Sequence, residues 1–198
     1  PQFFFEVMIQ FVNPTSDLFV PDVTEPGQAL GRTTHLGVGA HQDDLEVMAL
    51  HGILACYKQP QKWFGGVTVT NGAGSSRTNE YADYTDEQMQ AVRAEEQRKA
   101  AVVGEFGFVA QLDYPSSTVK QLGNSDFAAD LRMILAATKP EVVYTHNLAD
   151  KHDTHVAVVV PLIRALREMP AAERPAEVYG VEVWRDLNWL LDDEKVLL

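Results

Sequence analysis

The chain has 198 residues, 45% of them apolar and 22% charged, with 16 Lys+Arg against 28 Asp+Glu and a formal charge of −12. This is the composition of one globular domain, too apolar for a disordered chain. The acidic balance, with no basic patch in sight, excludes nucleic acid as the expected partner. A single cysteine excludes a disulfide framework and a thiolate metal cage, and no stretch reaches the ~18 apolar residues of a membrane span.

The first apolar segment, Phe3 to Val12, contains Glu6 and Gln10 and has no basic stretch before it. It does not read as a signal peptide, and the cytoplasm is the expected location. Residues 13–34, with Pro14, Pro21, Pro26, Gly27 and Gly31, read as an extended lead-in, so the expected division is a lead-in over 1–34 and a domain over 35–198. Leu36 to Ala40 is a short buried strand ending at His41. A helix is expected over 43–57, with Leu50, Ile53 and Leu54 at helical spacing, Cys56 as a buried inert thiol and His51 as a core or rim histidine.

Val67 to Thr70 is strand-like and stops at Asn71-Gly72. The following stretch, Asn71 to Arg77, lacks the Lys-Ser/Thr of a phosphate-cradling loop and reads as a mobile segment in which Asn71 and Arg77 face substrate. Beyond it come a helix over Asp86 to Gly104, a short strand over Val109 to Leu112 and a helix over Ser125 to Thr138 behind a Ser or Asp cap. A strand over Val142 to Thr145, a helix over Thr154 to Arg167 and a strand over Glu177 to Trp184 complete the pattern. Strand and helix in alternation predict a three-layer α/β/α sandwich with a mostly parallel, Rossmann-like sheet. Ligands of such sheets collect outside the carboxyl ends of the strands.

The polar oddities of the sequence fall at those ends. His41, Asp43 and Asp44 follow the first strand of the domain, and His146, Asp150, His152, Asp153 and His155 follow a later one, so four of the six histidines lie in two clusters. Capping and solvated charge would account for either cluster alone. Together they offer imidazoles and a carboxylate, donors suited to Zn²⁺ with an open position for water, or to Fe²⁺. Adjacent carboxylates point in different directions, so one can hold a metal while the other accepts a proton from the bound water. His152 and His155, three apart at a helix start, share one face. His146, at its strand end, either lines the pocket or supports it.

The run Gly37-Val-Gly-Ala-His41-Gln-Asp43-Asp44-Leu-Glu46, followed by Thr145-His146 and by His152-Asp-Thr-His155-Val-Ala, resembles the LmbE/PIG-L family of zinc-dependent N-deacetylases. The first run is similar to that family's Ala-His-Pro-Asp-Asp-Glu signature and the last to its His-Pro-Asp-His signature, and the likeness extends over about residues 35–185. The resemblance implies that His41, Asp44 and His155 ligate zinc and that Asp43 is the general base. His152 would stabilise the oxyanion or protonate the leaving group, and Arg93 would line the substrate pocket. It implies removal of an N-acetyl group from an N-acetylglucosamine-type sugar or conjugate, with a small amino sugar or glycoconjugate as partner; a homo-oligomer is compatible with this.

The sequence departs from the signatures. Gln42 replaces a proline, Leu45 stands at the glutamate position with Glu46 one place later, and Asp153-Thr154 replaces Pro-Asp, leaving Asp150 or Asp153 to orient a histidine. Many members extend past the point matched by Leu198, so part of the pocket is expected from outside this sequence. Two other readings compete: a metal-dependent amide or ester hydrolase acting on a non-sugar substrate, and a non-catalytic sugar-binding α/β module.

Overall fold

In the computed structural model, which describes residues 9–121, 123 and 126–198, the short apolar runs become strands of one sheet. Strands β1 (Asp17–Phe19), β2 (His35–Gly39), β3 (Phe64–Thr70), β4 (Phe108–Tyr114), β5 (Val142–His146) and β6 (Glu177–Val181) lie in the order β1-β4-β3-β2-β5-β6. All neighbouring pairs are parallel except β1 with β4. β2 and β3 are buried at every position, as strands covered on both faces must be.

From β2 the chain builds outward through β3 and β4, then crosses back to add β5 and β6 on the other side. The carboxyl ends of β2 and β5 therefore flank the point where the winding reverses, the place where open α/β sheets form a crevice.

Side chains alternate between the two faces. Leu36 and Val38 pack in one core with Leu30 of α1 (Pro26–Gly31), Leu131 and Ile134 of α6 (Asp126–Thr138) and Val158 and Leu162 of α7 (Asp153–Glu168). The second core joins Leu45 and Met48 of α2 (Asp44–Met48), Ile53 of α3 (Leu50–Cys56) and Ala101 of α4 (Asp86–Val103) to Phe64, Val109 and Tyr144. A short α5 (Ser116–Val119) follows β4. The result is the expected three-layer sandwich with a mostly parallel sheet.

On the second face β2 presents glycine. A Cβ on Gly37 would lie 2.7 Å from the Phe64 ring, and one on Gly39 would lie 3.0 Å from Cβ of Asp44. These glycines let α2 rest directly on the strand, which is what brings Asp44 to the sheet's carboxyl edge.

Three local expectations change. The single helix over 43–57 is two helices that meet at the buried Ala49, with φ −107° and ψ 18°. The break lets α2 sit on the glycines of β2 while α3 presses Gly52 against Tyr144 of β5, where a Cβ would come within 2.4 Å of the ring. Residues 13–34 are not merely extended: they supply β1 and α1, whose Ala29 and Leu30 are buried. Pro26 begins that helix, a position where its missing N–H costs nothing. The last strand ends at Val181, three residues before Trp184. The expected cap at Ser125 and residues 3–8 of the N-terminal apolar segment lie outside the described residues. Among the described residues no helix is long and apolar enough to cross a membrane.

Candidate metal centre

Where β2 ends, the backbone turns sharply at Asp43, which has φ 85° and ψ −21°. This left-handed conformation is uncommon for a residue with a Cβ, although aspartate adopts it more readily than most. It separates the two consecutive carboxylates. Asp44 starts α2 with its side chain 4% exposed, whereas the Asp43 side chain is 71% exposed. The buried carboxylate closes the turn by accepting the His41 N–H at 2.6 Å through Oδ2.

Beyond β5, His152 caps α7: its Nδ1 accepts the Thr154 N–H at 3.3 Å, so the proton of the neutral ring sits on Nε2. His155, in the first turn, is buried and its Nδ1 lies 2.7 Å from Asp150 Oδ2. A carboxylate accepts only, so Nδ1 carries the proton and Nε2 presents a bare lone pair. Asp150 Oδ1 also accepts the His152 N–H at 2.8 Å, so one buried acid sets both histidines. The rings stack: His146 on His155 with centroids 3.8 Å apart, and His152 on His155 at 4.4 Å.

The two loops converge. His41 Nδ1 lies 3.2 Å from His155 Nε2 and 3.3 Å from Asp44 Oδ2, and Asp44 Oδ1 lies 3.6 Å from His155 Nε2. A tetrahedral ion with bonds of about 2.0–2.2 Å to N and O donors keeps its ligand atoms about 3.3–3.6 Å apart. The separations come close to those dimensions, with Asp44 facing His41 through Oδ2 and His155 through Oδ1, and a donor set of two imidazoles and one carboxylate fits a zinc-type ion. His155 also belongs to two wider groups of donors, with His41 and His152 and with Asp44 and His146, whose ligand atoms lie within 4.8 Å of one another.

Electrostatics agree with this geometry. Burial alone would favour the neutral acid at Asp44, but the surrounding imidazoles of His146, His41 and His155 outweigh it and hold the carboxyl well below the usual carboxylate range. Burial pushes the His155 imidazole down, reinforced by His146 and opposed by Asp44 and Asp150.

The remaining sequence-derived residues are distributed as follows. Arg93 of α4 is pinned: one terminal nitrogen donates to Asp43 Oδ2 at 2.7 Å and to the Gln42 carbonyl at 2.5 Å, and the other donates to Glu96 at 2.5 Å. His146 is completely buried, with Nε2 3.0 Å from the Ala40 amide nitrogen and 3.2 Å from Asp44 Oδ2. It has no surface to offer a substrate, which corrects the pocket-lining expectation: it backs Asp44. Asn71 Oδ1 accepts the Ala73 N–H, and Arg77 donates to the Ala73 carbonyl and pairs with Asp86, so both are engaged within the loop and its junction with α4. Gln42 is buried and donates to the Thr70 carbonyl at 3.0 Å, a side-chain bond that a proline there could not supply.

Of the two acids left to orient a histidine, Asp150 does so, whereas Asp153 turns outward to Lys120 at 3.2 Å. Sequence reading passed over Gln97, which is buried and contacts the Asp43 backbone. Its spacing was the available signal, since it lies four residues after Arg93 and therefore on the same face of α4.

The family model described as PIG-L, GlcNAc-PI de-N-acetylase, matches residues 36–166. No curated protein sequence matches significantly. Among solved structures, the chain is similar to N,N'-diacetylchitobiose deacetylase from Pyrococcus horikoshii, at TM-score 0.57 and 18% identity, covering 69% of this chain and 49% of that one. It is similar to GalB, the 4-carboxy-2-hydroxymuconate hydratase of Pseudomonas putida KT2440, at TM-score 0.53 and 21% identity, covering 76% and 62%. It is also similar to the A40926 pseudoaglycone deacetylase Dbv21, at TM-score 0.53 and 20% identity, covering 69% and 60%. The matched regions thus span between half and about three fifths of those chains. At these identities the likeness establishes the fold.

Proposed function

The chain belongs to the PIG-L family, and from that premise we propose that it is a metal-dependent N-deacetylase that releases acetate from an N-acetylglucosamine-type sugar or conjugate. The observation that carries the reading is the triangle of His41 Nδ1, His155 Nε2 and the Asp44 carboxylate, drawn from two loops at the switch point of the sheet. His41, Asp44 and His155 would hold the ion, zinc in this reading, with Fe²⁺ suited to the same donors. Such an ion would acidify a water and polarise the amide carbonyl.

The chain's own residues supply the rest. Asp43 is kept out of the triangle by its left-handed backbone, and its carboxylate, paired with Arg93 through Oδ2, would take a proton from the attacking water. His152, with Nδ1 engaged by the Thr154 N–H, has Nε2–H to donate to the carbonyl oxygen as negative charge develops there. The amine departs carrying a proton, so the proton withdrawn from water balances the one the leaving group requires. Gly72, at φ +75°, packs against the Arg93 side chain, where a Cβ would meet Arg93 Cβ at 2.8 Å. The loop bearing Asn71 and Arg77 therefore lies against Arg93, and we assign these three to the sugar side of the site.

The likeness to a hydratase shows that this fold serves more than one reaction, so the reading rests on the family and the donor triangle. The test is acetate release from N-acetylglucosamine derivatives by the Zn²⁺-loaded protein. Asp43→Asn should keep its metal and lose about 10²- to 10⁴-fold in turnover, whereas Asp44→Ala and His155→Ala should lose the metal as well. An Asp43→Asn variant with undiminished turnover would contradict the base assignment. A metal-loaded protein that releases no acetate from any such substrate would contradict the reaction.

A further inference from the structure

We propose that Gln97 is a positioning residue that fixes the backbone of Asp43, acting together with Glu46. The inference rests on the reading of Asp43 as the base. Gln97 is 1% exposed, and a buried amide is costly unless both of its ends are hydrogen-bonded. Its Oε1 accepts the Asp43 N–H at 3.4 Å and its Nε2 donates to Glu46 Oε1 at 2.8 Å.

The bond to Glu46 sets the direction of the amide. A carboxylate accepts only, so the NH₂ group must face Glu46 and the carbonyl must face Asp43. Glutamate at position 97 would set a second carboxyl against Glu46, so the two must repel or share one proton in place of the amide's fixed donor, and methionine would leave the Asp43 N–H without its acceptor. That N–H precedes the first turn of α2, where no helical carbonyl can receive it. Arg93, on the same face of α4, holds the Asp43 carboxylate. Helix α4 therefore grips Asp43 at both ends, and its left-handed conformation is imposed from outside its own loop.

Reversing the donor and acceptor provides the decisive variant. Gln97→Glu should lower kcat for acetate release by about 10- to 100-fold, the scale expected when a reacting group is misplaced by about an ångström. KM and Zn²⁺ stoichiometry should stay near those of the parent. Adding Glu46→Gln restores the pattern and should recover most of kcat. In that double variant the amide at position 46 donates to the carboxylate at position 97, which in turn accepts the Asp43 N–H. Independently of turnover, Gln97→Met should speed hydrogen exchange at the Asp43 amide. The proposal is overturned by a Gln97→Glu variant with parental kcat, by a double variant that repairs nothing, or by unchanged exchange at Asp43 in Gln97→Met. Full turnover in Asp43→Asn would instead remove the base reading while leaving the exchange result to judge Gln97.

Discussion

Asp150 carries more of the candidate site than its place outside the donor triangle implies. Its two oxygens hold the His155 ring and the His152 backbone, and the ring bond leaves the His155 lone pair facing the other donors. Asp150→Asn keeps the shape but can turn an NH₂ group toward Nδ1, which favours the wrong tautomer. We predict that it weakens Zn²⁺ affinity by about 10- to 100-fold, measured by chelator competition; Asp153→Asn, which alters an exposed pair with Lys120, should leave affinity unchanged. That histidines and acids would gather at this edge was legible in the sequence, because both clusters follow strands; the choice of His41, Asp44 and His155 among them came from the resemblance to the family signatures. The choice between Asp150 and Asp153 was not legible, because it depends on which acid the loop turns inward before α7 begins. The burial of His146 was equally hidden, since a residue at a strand end can face solvent or the layer behind it.

At the level of elements, the site depends on how closely α2 lies on β2. Gly39 permits that contact, with its absent Cβ 3.0 Å from Cβ of Asp44 and 3.3 Å from Cε of Met48. Gly39→Ala should force the helix outward by a few tenths of an ångström and carry Asp44, a proposed ligand, with it. The expected cost is about 1–3 kcal/mol of stability in denaturant unfolding, accompanied by weaker Zn²⁺ binding. Gly31→Ala, at the end of α1 where a Cβ would meet nothing within 4 Å, should leave Zn²⁺ binding unchanged and so serves as the control. Helix and strand types were readable along most of the chain because apolar spacing is a local property. The break at Ala49 was not, because it is set by Gly52 reaching Tyr144, a contact between an element and a strand about ninety residues later. Residues 13–34 misled through proline, which is disfavoured within a helix but begins one at Pro26.

On the scale of the whole molecule, alternating strands and helices predicted the layers, and the rule that parallel sheets bind at their carboxyl ends predicted the edge. Strand order supplied what the sequence could not: β5 lies beside β2, so two loops more than a hundred residues apart open onto one crevice. The antiparallel β1 was not anticipated, because three half-buried residues in a proline-rich stretch carry little pattern. The joint grip of His41, Asp44 and His155 on one divalent ion is the claim from which the rest follows. Calorimetric titration of the metal-free protein with Zn²⁺ tests it most directly. One ion per chain should bind, and His41→Ala together with His155→Ala should abolish that binding while the protein stays folded. Absence of binding in the parent, or binding unchanged in the double variant, would contradict it.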